Sequence, residues 1–371
     1  MNKSKLGFVL SGGGSRGAYQ CGVWQAMVEL GMKPDIVCGV SVGAINGAMV
    51  MQEDVIKTAN LWRAMETGMI FDVDSDAQVQ DFAKEFVKRG GAGTTGLQTI
   101  LKEYIDEDYI RNSETDFGLL TVEFPSMKPH YLWKEDIPYG RLCDYIAASS
   151  SAFPAIQTYK IDGKEFIDGG YEDNLPVSMA RERGATHIIA VNLDAIGKIH
   201  PEDLTESEDL TLIESAWNLG DFLVFEQEKA KRILRLGYLD AMKTFQIFDG
   251  HYFTFVKNTF NHSELLQADS AAKVFGLDPL ILYRKEFFME KLAEAVSDAR
   301  AEAGETIDNL ELSISTLKDI NRLFNRKTSV LVIAQNLKLK GPDSIFLSKY
   351  AVKLLGDDLA AADFLVKYNL I

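Results

Sequence analysis

From Leu6 onward, short apolar runs alternate with glycine-marked turns and with longer stretches of helical spacing. Leu6 to Ser11 is a short, mostly apolar run, too short for a helix and stopped by glycines, so it reads as a buried strand. Gly17 to Leu30 carries helical periodicity and ends at Gly31, a residue suited to the left-handed position after a helix. Asp35 to Val40 reads as a second buried strand, and Val42 to Met51 and Glu53 to Met65 as helices. Between Glu66 and Ser113 the pattern weakens, and Arg89 to Gly96 (RGGAGTTG) reads as a mobile loop. Strands follow at Phe117 to Glu123 and around His130 to Trp133, then a helix at Tyr139 to Ser150. Tyr159 to Ile161 and Glu165 to Ile167 read as a hairpin closed by Asp162-Gly163, a type I′ signal. A helix at Asn174 to Arg183 and a very apolar strand at His187 to Leu193 complete this half.

Strands alternating with helices predict an α/β fold, a three-layer, mostly parallel sheet with helices on both faces. The pattern changes near Ile199: 22 of the 29 glycines precede residue 200. Two domains are therefore expected, 1–199 and a mainly helical 200–371 that packs on the first or caps it. In the second, Pro201 to Glu214 is strongly acidic and reads as exposed. Ser215 to Met242 reads as helix, Tyr252 to Val256 as an added strand, and the last helix as Asp343 to Tyr368.

The net charge of −15 is spread over both halves. It argues against nucleic acid as a partner. It also argues against electrostatic capture by anionic lipid, leaving transient apolar contact as the way to meet a membrane surface. No apolar run reaches the roughly 18–20 residues of a bilayer span. The start of the chain lacks a secretory apolar segment. Cys21, Cys38 and Cys143 sit in no metal or redox spacing and read as reduced, which places the protein in the cytoplasm. Nothing in the pattern speaks to oligomeric state.

Three local patterns carry chemistry. Ser11-Gly12-Gly13-Gly14-Ser15-Arg16-Gly17 lies between a strand and a helix, where bare backbone N–H groups and the helix dipole favour negative charge. It suits an oxyanion hole or a phosphate cradle. Gly12-x-Gly14-x-x-Gly17 also matches a dinucleotide fingerprint, but the acid expected at the end of the second strand is missing. That position holds instead Gly39-Val40-Ser41-Val42-Gly43, the G-x-S-x-G elbow that lifts a nucleophilic serine above a sheet edge. Asp168-Gly169-Gly170 taken alone is a turn. A serine needs a base, and the five histidines (His130, His187, His200, His251, His262) offer no favourite.

Together with Ala148-Ser149-Ser150-Ser151-Ala152-Phe153-Pro154 and Asn174-Leu175-Pro176, these motifs resemble, in order, those of patatin-like phospholipases over about residues 5–195. The resemblance implies a Ser41–Asp168 dyad, with Asp168 as base and no metal or organic cofactor. It implies an oxyanion hole from the amides of Gly13 and Gly14 with Gly12, and Arg16 and Gly17 supporting that loop. Gly39 and Gly43 frame the elbow, and Gly169 and Gly170 complete the motif of the base. The substrate would be a lipid or other acyl ester, cleaved through an acyl-enzyme. Trp62, Met65, Met69, Ile70 and Phe71 are candidates for an acyl cleft. Trp217, Phe222, Leu223 and Phe225 read first as packing of a helix on the sheet.

Overall fold

The computed structural model describes residues 4–72, 90–205, 209–304 and 324–371. The chain divides into two compact units, residues 1–241 and 242–371.

In the first unit, β1 (Leu6–Leu10), β2 (Ile36–Val40), β3 (Asp116–Phe124), β7 (His187–Asn192) and β8 (Leu210–Glu214) form the parallel part of one sheet, in the order β3-β2-β1-β7-β8. Alternation sorts its side chains onto two faces. Val9, Ile36, Cys38, Ile188 and Ala190 pack under helix Val177–Glu182 through Val177, Met179 and Ala180. Val37 and Phe117 face the opposite way, against Gly47 of helix α2 (Val42–Met51). Helix α1 (Ala18–Glu29) packs on α2 and on α3 (Val55–Ala64). Every residue of β2 is buried, as expected of a strand covered on both faces.

The antiparallel part is β4 (Lys128–Trp133), β5 (Tyr159–Ile161) and β6 (Lys164–Asp168). β5 and β6 join through Asp162 (φ 49°) and Gly163 (φ 83°), the left-handed pair a type I′ turn requires. β3 pairs with β2 along Asp116–Leu120 and with β6 along Thr121–Phe124, while β4 takes its other edge. The sheet therefore forks at Leu120–Thr121.

Several expectations are corrected. Leu210–Glu214, read as exposed acidic chain, is β8: its run Leu-Thr-Leu-Ile supplies the apolar positions of a strand, and Ile213 is buried. Only Gln227–Thr244 of the expected 215–242 helix forms. Ahead of it, the side chains of Asn218 and Asp221 accept from the amides of Gly220 (2.7 Å) and Leu223 (3.0 Å), turns that compete with helix. The change in compactness falls at residue 241, not at Ile199, because β8 and the segment after it pack with the first sheet. Glycine density tracked the turns, not the contacts. Of the loop read at 89–96, Arg89 lies outside the described residues, and Thr95 already begins a helix, Thr95–Tyr104.

The second unit holds a small separate sheet of β9 (Phe248–Asp249), β10 (Thr254–Val256) and β11 (Leu282–Tyr283). Its helices are His262–Phe275, Lys285–Ala303, Arg326–Lys340 and Lys349–Lys367. Phe255, Phe260, Phe288 and Phe364 meet edge to face in its core. The expected strand near Tyr252 thus belongs to this sheet. The buried Asp269 carboxylate accepts from the amides of His251, Tyr252 and Phe253 at 2.7–3.1 Å, which fixes the entry into β10.

Candidate active site

Ser41 is the only residue between β2 and α2, and it makes the turn with φ 57° and ψ −127°. A non-glycine residue there costs about 1–3 kcal/mol and persists only where its surroundings impose it. They do so through close backbone approach. A Cβ on Gly39 would land on the Gly43 carbonyl, and a Cβ on Gly43 on the carbonyl of Leu10. The Ser41 amide donates to Ser149 Oγ at 2.9 Å, and Ser149 Oγ donates to the Leu120 carbonyl at 2.7 Å. The Ser41 carbonyl accepts from the amides of Ala44 and Ile45, opening α2.

Ser149 came to notice in the sequence only as part of a serine-rich stretch. Its position explains it: one buried hydroxyl satisfies both the elbow amide and the β3 carbonyl at the fork. Ser149→Ala would strand both, so a loss of about 2 kcal/mol is expected, measured as a lower urea midpoint with unchanged slope.

The fork brings Asp168 to the elbow. Val40 is in register with Leu120 across β2–β3, and Asp168 with Thr121 across β6–β3. The chain therefore leaves β2 as Ser41 where β6 arrives as Asp168. Asp168 is 7% exposed, its carboxylate accepts from the Gly170 amide at 2.8 Å, and it lies near enough to the Ser41 hydroxyl to feel its dipole. Burial raises its pKa to about 6, against the opposing pull of the Ser41 hydroxyl and the Gly170 amide. Gly169 lies so close to the Leu120 carbonyl that any side chain would collide with it.

The glycine loop lies on the other side of Ser41. The Gly12 amide is committed to the Asn174 carbonyl at 3.2 Å, which removes it from the expected donor set. Among the described residues nothing accepts from the amides of Gly13 and Gly14, and both glycines line the cavity described below. Gly14 adopts φ +55° against the Phe222 carbonyl, a place where a Cβ would be blocked. Arg16 holds the loop by donating to the carbonyls of Gly220 (2.8 Å) and Leu193 (3.1 Å). Gly17 lies against Val42 and Trp62. Behind it a buried chain of hydrogen bonds runs from Trp62 Nε1 to Asn46 Oδ1, from Asn46 Nδ2 to Gln20 Oε1, and from Gln20 Nε2 to the Ser11 carbonyl, at 2.7–3.0 Å. Sequence reading passed over Gln20, because a polar residue inside a helix carries no signal until its partners are known.

Ser41, Asp168, Gly13 and Gly14 line one cavity of about 510 Å³. Its walls are apolar. Trp62, Met65, Ile70 and Phe71 line it as expected, joined by Leu97 and Ile100. Met69 does not line it and is 40% exposed. Phe222, Leu223 and Phe225 also line it, although not from a helix: their segment is held by Ser15 N–H to Phe222 O (2.8 Å) and Thr67 N–H to Phe225 O (3.1 Å). Trp217 lines a different, polar cleft beside Asn192 and Asp194. No histidine bonds to Ser41 or Asp168 among the described residues. His130 pairs with Glu123, and His200 contacts Glu202 and the Glu172 carbonyl. The described residues also hold no cluster suited to a metal ion, and none of their helices is long and apolar enough to cross a membrane.

Residues 8–181 match the family model for patatin-like phospholipase. Among curated proteins, the chain is 28% identical over 230 residues to neuropathy target esterase sws of Drosophila melanogaster, covering 58% of this chain and 15% of that protein. It is 25% identical over 254 residues to lysophospholipase NTE1 of Saccharomyces cerevisiae, covering 65% and 14%. It is 28% identical over 255 residues to patatin-like phospholipase domain-containing protein 7 of Rattus norvegicus, covering 65% and 18%. The chain thus spans less than a fifth of the length of these relatives. The elbow and the fork of the sheet lie within residues 8–181, the segment that matches the family model for patatin-like phospholipase.

Proposed function

We propose that the first unit hydrolyses acyl esters of lipids with Ser41 as nucleophile and Asp168 as its base. One observation carries the reading: a hydroxyl on a strained elbow lies beside a buried carboxylate of raised pKa, in a cavity also lined by two glycines whose amides have no acceptor among the described residues. A carboxylate of ordinary pKa would be a weak base for an alcohol, and burial strengthens it. The names of the relatives, a lysophospholipase among them, support a lipid ester as substrate, as do the apolar walls of the cavity.

In the first half-reaction Ser41 Oγ attacks the ester carbonyl carbon and its proton passes to Asp168. The carbonyl oxygen becomes an oxyanion held by the amides of Gly13 and Gly14. Collapse of this intermediate breaks the ester bond, and the departing alcohol takes the proton from Asp168. In the second half-reaction water attacks the acyl-serine and gives a proton to Asp168. Collapse then releases the fatty acid and returns the proton to Ser41. The apolar walls of the cavity would hold the acyl chain, which orients its carbonyl for both attacks.

The test is covalent labelling by a fluorophosphonate. Wild type is expected to take one label at Ser41, and Ser41→Ala none. Stabilisation by NAD or inorganic phosphate with no labelling would overturn the proposal in favour of an anion-binding loop.

A further inference from the structure

In the second unit, helices Arg326–Lys340 and Lys349–Lys367 pack on each other and are joined by residues 341–348. So short a connection makes them an antiparallel hairpin with a defined tip. The tip is well anchored. Phe346 is fully buried, Ser344 Oγ donates to Asn336 Oδ1 at 2.8 Å, and the Ser348 hydroxyl caps the second helix through the Ala351 amide.

On this scaffold the side chains face water against their chemistry. Leu339 is 70% exposed, and Leu347, Val352 and Leu354 are each nearly half exposed. Lys338, Lys340, Lys349 and Lys353 are interleaved with them, and Asp343 is the only acid between residues 338 and 356. Lys340, Lys349 and Lys353 enter no ion pair among the described residues, whereas Lys231, Lys291 and Lys367 are each paired with a glutamate. In a chain of net charge −15, this is a local reversal of sign placed on exposed aliphatics. Evenly spread acidity had argued against capture by anionic lipid; the tip supplies the basic cluster that whole-chain charge concealed.

We propose that this hairpin tip docks on an anionic phospholipid surface, with Leu339, Leu347 and Val352 entering the interface and the lysines meeting headgroup phosphates. Interleaved aliphatic and basic side chains match a bilayer surface, apolar just beneath a negatively charged plane. Acidity elsewhere in the chain is repelled by that plane and so favours approach by the tip. The proposal goes beyond the hydrolase reading and does not depend on chemistry at Ser41.

Flotation of the full chain tests it, with vesicles of phosphatidylcholine alone and of phosphatidylcholine with phosphatidylglycerol. Binding is expected only to the anionic vesicles and should weaken as salt is raised. A Lys340→Gln, Lys349→Gln, Lys353→Gln triple variant should lose affinity by about 100-fold, at roughly 1 kcal/mol per lysine. A Leu339→Ser, Leu347→Ser, Val352→Ser variant should also fail to float, while both variants keep wild-type melting temperature and hydrolysis of a soluble p-nitrophenyl ester. The idea is overturned if wild type does not float with anionic vesicles, or if either triple variant floats as wild type does. It is also overturned if the leucines and valine serve instead to pair two copies, seen as a dimer that the serine variant abolishes. Ser41→Ala should float unchanged, so a failure of the hydrolase reading would appear in ester turnover and leave flotation intact.

Discussion

Asp168→Asn is expected to lower ester hydrolysis by about 10³- to 10⁴-fold, the scale on which loss of an essential general base is felt, while making the folded protein more stable at alkaline pH. Both effects follow from one buried carboxylate. Asparagine has nearly the same shape and can still accept from the Gly170 amide, but it cannot take a proton from Ser41. For stability, the sign follows from the direction of the shift. The folded-state pKa of Asp168 is raised from 3.8 to about 6, so burial disfavours the charged form. That penalty is absent below about pH 4, grows as pH rises through 6, and is complete above it. Two pKa units correspond to about 3 kcal/mol. The variant should therefore unfold at higher urea than wild type at pH 8 and at the same urea at pH 4. In wild type, kcat/KM should fall below pH 6 with unit slope as the base is protonated. Equal stability of the two proteins at pH 8, together with retained turnover, would remove Asp168 from the mechanism.

The second large effect is expected at Gly43. Its Cα faces the end of β1, where an added methyl would overlap the Leu10 carbonyl and lie 2.7 Å from that of Ser11. Both obstacles are backbone, of the central strand β1 and of the residue that follows it, and cannot rotate aside as a side chain can. Gly43→Ala must push α2 away from β1, and α2 begins directly after the Ser41 turn. A loss of 3 kcal/mol or more is expected, the scale of strained overpacking in a core, accompanied by loss of fluorophosphonate labelling. Gly31→Ala is the control. No atom lies within 4 Å of a Cβ built there, so only its left-handed φ of +69° is strained. Its cost should stay near 1 kcal/mol with labelling intact. A Gly43→Ala protein that melts and labels as wild type does would mean that the elbow tolerates displacement.

Much of the first unit was legible because local chemistry and final structure agree there. β1, the Asp162-Gly163 turn, β7 and the strand–Ser41–helix elbow are each dictated by residues within a few positions of one another. A short apolar run stopped by glycine has few other ways to bury itself. The elbow glycines could be recognised because only a residue without a side chain tolerates carbonyl oxygens at that range. Where local signals were ambiguous, the reading erred. Apolar spacing after Ser215 suggested a helix, but Arg16, Ser15 and Thr67 claim the carbonyls and amides of residues 220–225, and those partners lie far away in sequence. Acidity hid β8 for the same reason: its apolar face matters only once β7 lies beside it.

The amino-acid order by itself pointed to most elements of the first unit, the elbow serine and the glycine loop, because the signals for each lie within a single turn or strand. Only the folded chain decided what joins them. The fork of β3 between β2 and β6 places residues 41 and 168 side by side, Ser149 holds the elbow amide from the end of a helix distant in sequence, and Asn174 takes the Gly12 amide out of the donor set. Pairing between strands distant in sequence is set by the burial of whole faces, a property of the assembled sheet that no short stretch of residues carries.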